Sequence, residues 1–293
     1  MLLLPPILTT AILAPTIEIA PSVHMPWVVD GDLHQPNSST TYDAWFASGG
    51  RGVDTAWSYF NQQAVGEALH RQSIVSRSKL FLQTKIECMG SEASTIRAGH
   101  LDLVLLNESY VDLLLIHAPW QGWGEPYSNC SKGPRGKAAR QATWRGMEAL
   151  QRSGKVRSIG VSNYNLAELA EILEIATIPP AVNQIAVCVG YLDNATIAYS
   201  AAHNITTQAY SPLGGAPWGG APVMRHPELQ PIAAAHGKSA AQVALRWIVQ
   251  QGIPFATATD TPVHVQQDLE VFDWALSEHE MAVLSSVRSG PPP

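Results

Sequence analysis

The chain has 293 residues, of which 46% are hydrophobic and 14% charged, with a formal net charge of −6. That length suits one α/β domain of about 250 residues, and the composition excludes both a disordered chain and the basic footprint of a nucleic-acid binder. Three cysteines, Cys88, Cys130 and Cys188, stand far apart without CxxC or His-rich spacing, so buried or idle thiols are expected rather than a zinc site or a disulfide framework.

The first segment in chain order is MLLLPPILTTAILAPT, residues 1–16. It is too short and too rich in proline for a membrane span of about 20 residues, so stable membrane insertion is not expected. As a signal peptide it lacks a basic start, and the small residues Ala14 and Ala20 are each followed by proline, which makes poor cleavage sites. Against this stand five N-x-S/T sequons, beginning at Asn37, Asn107, Asn129, Asn194 and Asn204, drawn from only nine asparagines. A cytoplasmic protein is the expectation, with a secreted, N-glycosylated one left open.

Short β-branched or apolar runs then recur: MPWVV, RGVDTA, LFLQTK, YVDLLLIH, SIGVS, AVNQIAV, TTQAYS and FATAT. Between them QAVGEALHR, TWRGMEALQRSG, LAELAEILEIA and SAAQVALRWIVQQG carry apolar residues at spacings of three and four, the period of an amphipathic helix. Gly154 and Gly252 stand where helix C-termini fall. Eight strands alternating with helices give the rhythm of a parallel (β/α)8 TIM barrel. Neither a linker nor an internal repeat divides residues 17–293, so one barrel domain is predicted.

The apolar runs give way to polar residues at their ends: Asp32, Asp54, Lys85, His117, Ser162 and Asn163, Gln184, Tyr210 and Ser211, then Thr259 and Asp260. In a parallel barrel those ends meet on one face, where active sites of this architecture lie. The stretch DTAWSY, residues 54–59, therefore ceases to be an isolated strand end. Asp54, Lys85 and His117 close three consecutive strands, Tyr59 lies in the loop after the first, and four proton-handling groups share one pocket.

These blocks, VDTAWSYFNQQAVGEAL, LFLQTK, YVDLLLIHAP, GKVRSIGVSNYN, PAVNQIAVCVGY and ITTQAYSPLGG, followed by AAQVALRWIVQQG and DLEVFDWALSEHEM, resemble the aldo-keto reductase superfamily from about residue 17 onward. The resemblance implies a (β/α)8 barrel closed at its bottom by an N-terminal hairpin at IEIAPSVHMP. It also implies reduction of a small-molecule carbonyl with NADPH or NADH. Its tetrad falls on Asp54, Tyr59, Lys85 and His117. The chemistry needs those types: hydride arriving at a carbonyl carbon puts charge on oxygen, which a positioned donor must meet. Tyr59 is the expected donor, Lys85 eases its proton loss, Asp54 balances the ammonium, and His117 orients the substrate oxygen.

The same carry-over puts the nicotinamide carboxamide on Ser162, Asn163 and Gln184, stacks its ring on Tyr210, and counts Ser211 and Leu213 among the cofactor-binding residues. Each has a plain alternative: Ser162 and Asn163 as caps of the helix LAELAEIL, Gln184 as a partner of buried backbone, Tyr210 as packing. Trp120, Trp123 and Trp218 fall in predicted top-face loops and form a candidate aromatic substrate wall. The chain departs from the family after the eighth strand, at ATATDTPVHVQQD. Ala258 stands where the family has lysine, Thr259 at the serine, His264 at the arginine, and Gln267 and Asp268 at the adenine-contacting pair. Near the first strand Val29 and Asp32 replace a glycine and the threonine, and a carboxylate there repels a pyrophosphate. Three readings stay open: a carbonyl reductase with weak or absent NADPH preference, a redox-independent acid/base enzyme, and a non-catalytic binding or subunit protein. The sequence leaves the oligomeric state open.

Overall fold

The computed structural model describes residues 13–31, 38–120, 130–131, 136–214, 223–259 and 261–287. It opens on a hairpin of β1 (Thr16–Ala20) and β2 (Val23–Pro26), antiparallel with Ile17 opposite Met25. Eight parallel strands follow: β3 (Val28–Gly31), β4 (Gly52–Asp54), β5 (Phe81–Ile86), β6 (Val111–Ile116), β7 (Val156–Ser162), β8 (Val182–Ala186), β9 (Thr206–Tyr210) and β10 (Phe255–Thr257). They form a closed barrel in chain order, β10 pairing with β3. Each of the eight predicted runs overlaps one of these strands, and the hairpin lies at IEIAPSVHMP.

The helices are α1 (Ser38–Ala47), α2 (Gln62–Arg71), α3 (Glu92–Leu106), α4 (Lys137–Arg152), α5 (Leu166–Leu173), α6 (Asn194–Ala202), α7 (Leu229–His236), α8 (Ala240–Gln250), α9 (Pro262–Leu269) and α10 (Glu278–Ser286). Local chemistry starts and stops them. Asn165 with Glu168, Ser239 with Gln242 and Ser277 with Glu280 form reciprocal caps at the starts of α5, α8 and α10, satisfying backbone donors that a helix start leaves open. Gly154 and Gly252, just past α4 and α8, take φ of 75° and 79°, where a side chain is disfavoured.

Side chains of a strand alternate in direction, and that parity separates two apolar cores. Leu82 and Ile86 of β5 join Leu114 and Ile116 of β6 in the layer between barrel and helices. Phe81 of β5 and Leu113 and Leu115 of β6 face the lumen, where the hairpin residues Ile19, Val23 and Met25 pack with them. The hairpin thus plugs the end of the barrel opposite the strand C-termini. Trp45, Trp144 and Trp247 are fully buried, and their indole N–H groups donate to Gly52 O, Ile178 O and Ser285 Oγ, so burial leaves no indole donor unpaired.

One expectation is corrected. Cys88, just beyond β5, is disulfide-bonded to Cys130, with Cα atoms 6.1 Å apart across a sequence separation of 42. Adjacent strands bring together two cysteines whose spacing carries no signal, and Cys188 alone is a free thiol. Among the described residues no helix is long and apolar enough to cross a membrane.

Candidate active site

Lumen-facing parity on β5 points Phe81, Gln83 and Lys85 inward one above another, so Lys85 emerges at the C-terminal mouth. Its Nζ donates to Asp54 Oδ1 at 2.5 Å, to Thr55 O at 3.1 Å and to Tyr59 OH at 3.4 Å. Asp54 ends β4, and Tyr59 ends a single 3₁₀ turn, Trp57–Tyr59, directly after it. Lys85 is 1% exposed and Asp54 4%. Burial opposes the charge on Lys85, but Asp54 and the phenol outweigh it and hold the ammonium above its ordinary value. For Tyr59 burial dominates in the other sense: it pushes the phenol up, against the pull of Lys85. Lys85 acts on the phenol in the expected sense, easing proton loss, but burial outweighs it.

His117 follows β6, and its ring stands edge-on to Tyr59 with centroids 5.6 Å apart. Its Nδ1 lies 3.0 Å from Ser58 Oγ and 3.2 Å from Glu87 Oε1. Glu87 is 3% exposed, and its charge adds to the rise of the Tyr59 phenol. Sequence reasoning missed both groups. The signal for Glu87 was parity, since it stands two residues beyond Lys85 and four beyond Gln83. Sequence reasoning also passed over an aromatic pair at this rim: Trp57 and Phe60 have rings 6.0 Å apart, and Phe60 is 80% exposed.

Of the plain alternatives for the next group of residues, the capping role of Ser162 and Asn163 does not hold. The cap of α5 is Asn165, whose Oδ1 accepts from the Glu168 N–H at 3.1 Å, so Ser162 and Asn163 are not its caps. Ser162 Oγ donates to Gln184 O at 2.8 Å, and Asn163 Nδ2 donates to His117 O at 2.9 Å. Tyr210 OH donates to Asn163 Oδ1 at 2.6 Å, and burial raises this phenol too. Gln184 Nε2 donates to Asp54 Oδ2 at 3.1 Å and to Gln208 Oε1 at 2.8 Å, and Gln208 exchanges bonds with Gln83. A row of buried amides therefore runs from the lumen up to Asp54. Asn163 and Ser211 take φ of 63° and 49°; left-handed backbone in residues other than glycine marks places where surrounding structure enforces the conformation. Leu213 is half-buried in the loop after Ser211.

The residues expected at the phosphate end of a dinucleotide scatter. Ala258 and His264 are exposed, Thr259 is buried, and Gln267 is half-buried. Asp268 faces the barrel instead: it is 4% exposed, its Oδ2 accepts from Thr257 Oγ1 at 2.9 Å, and burial pushes it up to about 7. Trp120 is half-buried directly after β6. Trp123, Trp218, Asp32 and Asp260 lie outside the described residues. Among the described residues no group of acidic, histidine or cysteine side chains is arranged to hold a metal ion.

A sequence profile of the Aldo/keto reductase family matches residues 27–289. The chain belongs to the aldo/keto reductase family. It is 38% identical to Protein REDOX 2 of Catharanthus roseus, covering 80% of this chain and 75% of the relative. It is 36% identical to morphine 6-dehydrogenase of Pseudomonas putida, covering 84% and 83%. An NADPH-dependent codeinone reductase of Papaver somniferum is 35% identical, covering 82% and 77%. Among solved structures, an aldo/keto reductase of Brucella melitensis superposes with a TM-score of 0.80 at 29% identity, over 93% of this chain and 97% of that one. A Bombyx mori aldo-keto reductase in complex with NADP gives 0.82 at 26% identity, over 94% and 93%. As a member of this family the chain is an oxidoreductase.

Proposed function

We propose that the protein reduces an aldehyde or ketone to the alcohol, with Tyr59 as the group that protonates the carbonyl oxygen. The observation that carries this is Lys85, buried and bonded at once to Asp54 and Tyr59. A buried ammonium and carboxylate do little for stability compared with apolar side chains, whereas a cation beside a phenol favours the phenolate that forms as the proton leaves. Because burial keeps the phenol above its ordinary value, Tyr59 is fully protonated at neutral pH and ready to act as acid. A reduced nicotinamide, when bound, would supply the hydride. As the carbonyl π pair moves onto oxygen, the Tyr59 proton follows it, and Lys85 stabilises the charge left on the phenol oxygen. Lys85 remains balanced by Asp54 throughout.

The residues at the strand ends fit the nicotinamide end of such a cofactor. Asn163 and Tyr210, bonded to each other and half-buried, stand at the mouth with Ser162 and Gln184 buried behind them, and the enforced backbone at Asn163 and Ser211 is of the kind found at binding sites. The phosphate end fits less well. Residues 257–268 contain neither Lys nor Arg, and a charge-assisted contact to a phosphate is worth roughly 1.5–3 kcal/mol. We therefore infer weak discrimination between NADPH and NADH. Relatives named for morphine and codeinone support specialised metabolism as the setting, and the Cys88–Cys130 bond supports an oxidising compartment over the cytoplasm.

Titration with each dinucleotide, followed by tryptophan fluorescence, tests the cofactor reading. The expected outcome is binding of both within about tenfold of each other, and a gain for NADPH in Ala258→Lys with His264→Arg. Strong wild-type selectivity for NADPH refutes it. If neither dinucleotide binds at millimolar concentration while Tyr59→Phe still abolishes conversion of the true substrate, redox-independent acid/base chemistry replaces the reductase.

A further inference from the structure

The carbonyl-reductase reading gives no task to Gln83 and Gln208, two glutamines that solvent does not reach. A barrel interior is ordinarily filled by branched apolar side chains. Here Asp54 and Gln83 stand side by side on β4 and β5, and Gln184 and Gln208 stand side by side on β8 and β9, across the lumen. Chemistry fixes which way each amide faces. The Asp54 carboxylate, balanced by Lys85, offers acceptors only, so Gln184 turns its Nε2 to Asp54 Oδ2, at 3.1 Å. The second hydrogen on that nitrogen goes to Gln208 Oε1 at 2.8 Å. Gln208 therefore turns its own Nε2 away, to Gln83 Oε1 at 3.2 Å and to Met25 Sδ of the hairpin at 3.5 Å. Gln83 Nε2 donates back to Gln208 Oε1 at 3.1 Å. Turning over any one of the three amides sets N–H against N–H or oxygen against oxygen. Both hydrogens of Gln184 Nε2 are thus committed, whereas its Oε1 accepts no hydrogen bond among the described residues and is not sealed off. Neighbouring donors are committed as well: Ser162 Oγ to Gln184 O, and Asn163 Nδ2 to His117 O and Ser162 Oγ.

We propose that Gln208, backed by Gln83, is a positioning residue for the cofactor: it holds the Gln184 amide so that only the carbonyl oxygen meets the groove, and that oxygen selects a nicotinamide by the N–H of its carboxamide. A ring lacking that N–H leaves the oxygen without a partner in a closed site, which such a site penalises. Without Gln83 and Gln208 the second N–H of Gln184 is buried unpaired, a costly state that a swing toward the groove relieves. Gln184 then offers a donor, and the selection is lost. The contact of Gln184 with a carboxamide belongs to the carbonyl-reductase reading; the control of its polarity from beneath deepens that reading and rests on it.

Two measurements on the full-length protein decide the matter, the first without any dinucleotide. In nitrogen-15 spectra of the side-chain amides, Gln184 is assigned by its loss in Gln184→Met. Its protons are expected to exchange with solvent at least about tenfold more slowly than those of the exposed Gln63. That protection is expected to fall by about tenfold in Gln83→Met with Gln208→Met, where two bonded partners give way together to apolar side chains of similar shape at little cost to the fold. The second measurement is the affinity for two analogues of NADPH, followed by tryptophan fluorescence. The 3-acetylpyridine analogue lacks the carboxamide N–H, and the thionicotinamide analogue keeps it. The wild type is expected to bind the thionicotinamide analogue about tenfold or more tightly than the other, and the double variant to prefer it by about threefold or less. Equal affinities in the wild type overturn the proposal, as does unprotected Gln184 in the dinucleotide-free protein; neither result needs the double variant to fold. A double variant that binds both analogues more weakly by the same factor also overturns it, because the two glutamines then only support the fold. If no dinucleotide binds, the carbonyl-reductase reading fails, and exchange in the free protein still decides whether Gln83 and Gln208 hold the Gln184 amide.

Discussion

Tyr59 is held between burial, which raises its phenol, and Lys85, which lowers it, and removing either partner has a definite sign. Tyr59→Phe keeps the ring and deletes the proton donor. Turnover in carbonyl reduction is expected to fall at least about 100-fold with the fold unchanged by circular dichroism; near-normal turnover sinks the proposed role. In Lys85→Met the force that lowers the phenol is gone, so the Tyr59 value rises further. Reduction, which uses the protonated phenol, keeps its pH profile up to strongly alkaline conditions while its rate drops. Alcohol oxidation, which uses the phenolate, climbs only at higher pH than in the wild type, and a displacement to lower pH contradicts the coupling. The same substitution strands Asp54 in the interior and is expected to cost about 3–5 kcal/mol of stability, most of it recovered when Asp54→Asn is added.

The outward face of β5 carries a second polar cluster. Thr84 Oγ1 donates to Asp102 Oδ2 at 2.8 Å, and Gln62 Nε2 of α2 donates to Asp102 Oδ1 of α3 at 2.6 Å. Burial pushes Asp102 up to about 7 against those two bonds. A carboxyl raised on folding favours the folded state most fully at acid pH, below its unfolded value, and loses that contribution as pH climbs through the folded value. Asp102 and Asp268 therefore each remove up to about 1.4 kcal/mol per pH unit between roughly pH 4 and 7. Asp102→Asn does not titrate, and Gln62 Oε1, buried without a partner, can accept from the new amide once the Gln62 side chain turns over. The melting temperature at about pH 8 minus that at about pH 5 is expected to be more positive in this variant than in the wild type, and an unchanged difference argues against a raised Asp102. How far such features are legible in sequence follows from strand parity and spacing. The polar residues closing apolar runs at Asp54, Lys85 and His117 announce a shared mouth, because a parallel barrel leaves them no other face. Asn165-Leu-Ala-Glu168 was a readable capping box that would have removed the capping role from Ser162 and Asn163. Asp102 and Gln62 were not readable, since each is one polar residue on an otherwise ordinary helix, and only packing of α2 and α3 on β5 brings them together. The outcome for Asp268 was equally hidden, because a helix turned by a fraction of its period decides whether a side chain meets the groove or Thr257.

The disulfide and the sequons bear on the whole molecule. The segment after β6 is fastened to the barrel by Cys130 and by Arg140, which is fully buried and donates to Ser131 O at 2.6 Å and Pro119 O at 3.4 Å. Cys88 follows Glu87 directly, so the bond holds Cys130 next to the end of β5 that carries the His117 partner. Disulfides persist where the surroundings are oxidising and are rare in the cytosol. The three described sequon asparagines, Asn107, Asn194 and Asn204, are all exposed. Asn107 caps α3 with φ of 53°, and Asn204, two residues past the end of α6, takes φ of 57°. The oxidising compartment proposed above carries two consequences, a closed Cys88–Cys130 bond and glycans on the sequons. Protein isolated with a thiol-blocking reagent present from lysis is expected to carry the label at Cys188 alone, and at all three cysteines after reduction and a second labelling. Peptide N-glycosidase is expected to lower its mass and to leave Asp at Asn107 or Asn204, because enzymatic release converts the glycosylated amide to the acid. Three labelled cysteines without prior reduction, with no change of mass on digestion, place the protein in a reducing compartment and make Cys88–Cys130 a bond that its working state does not contain.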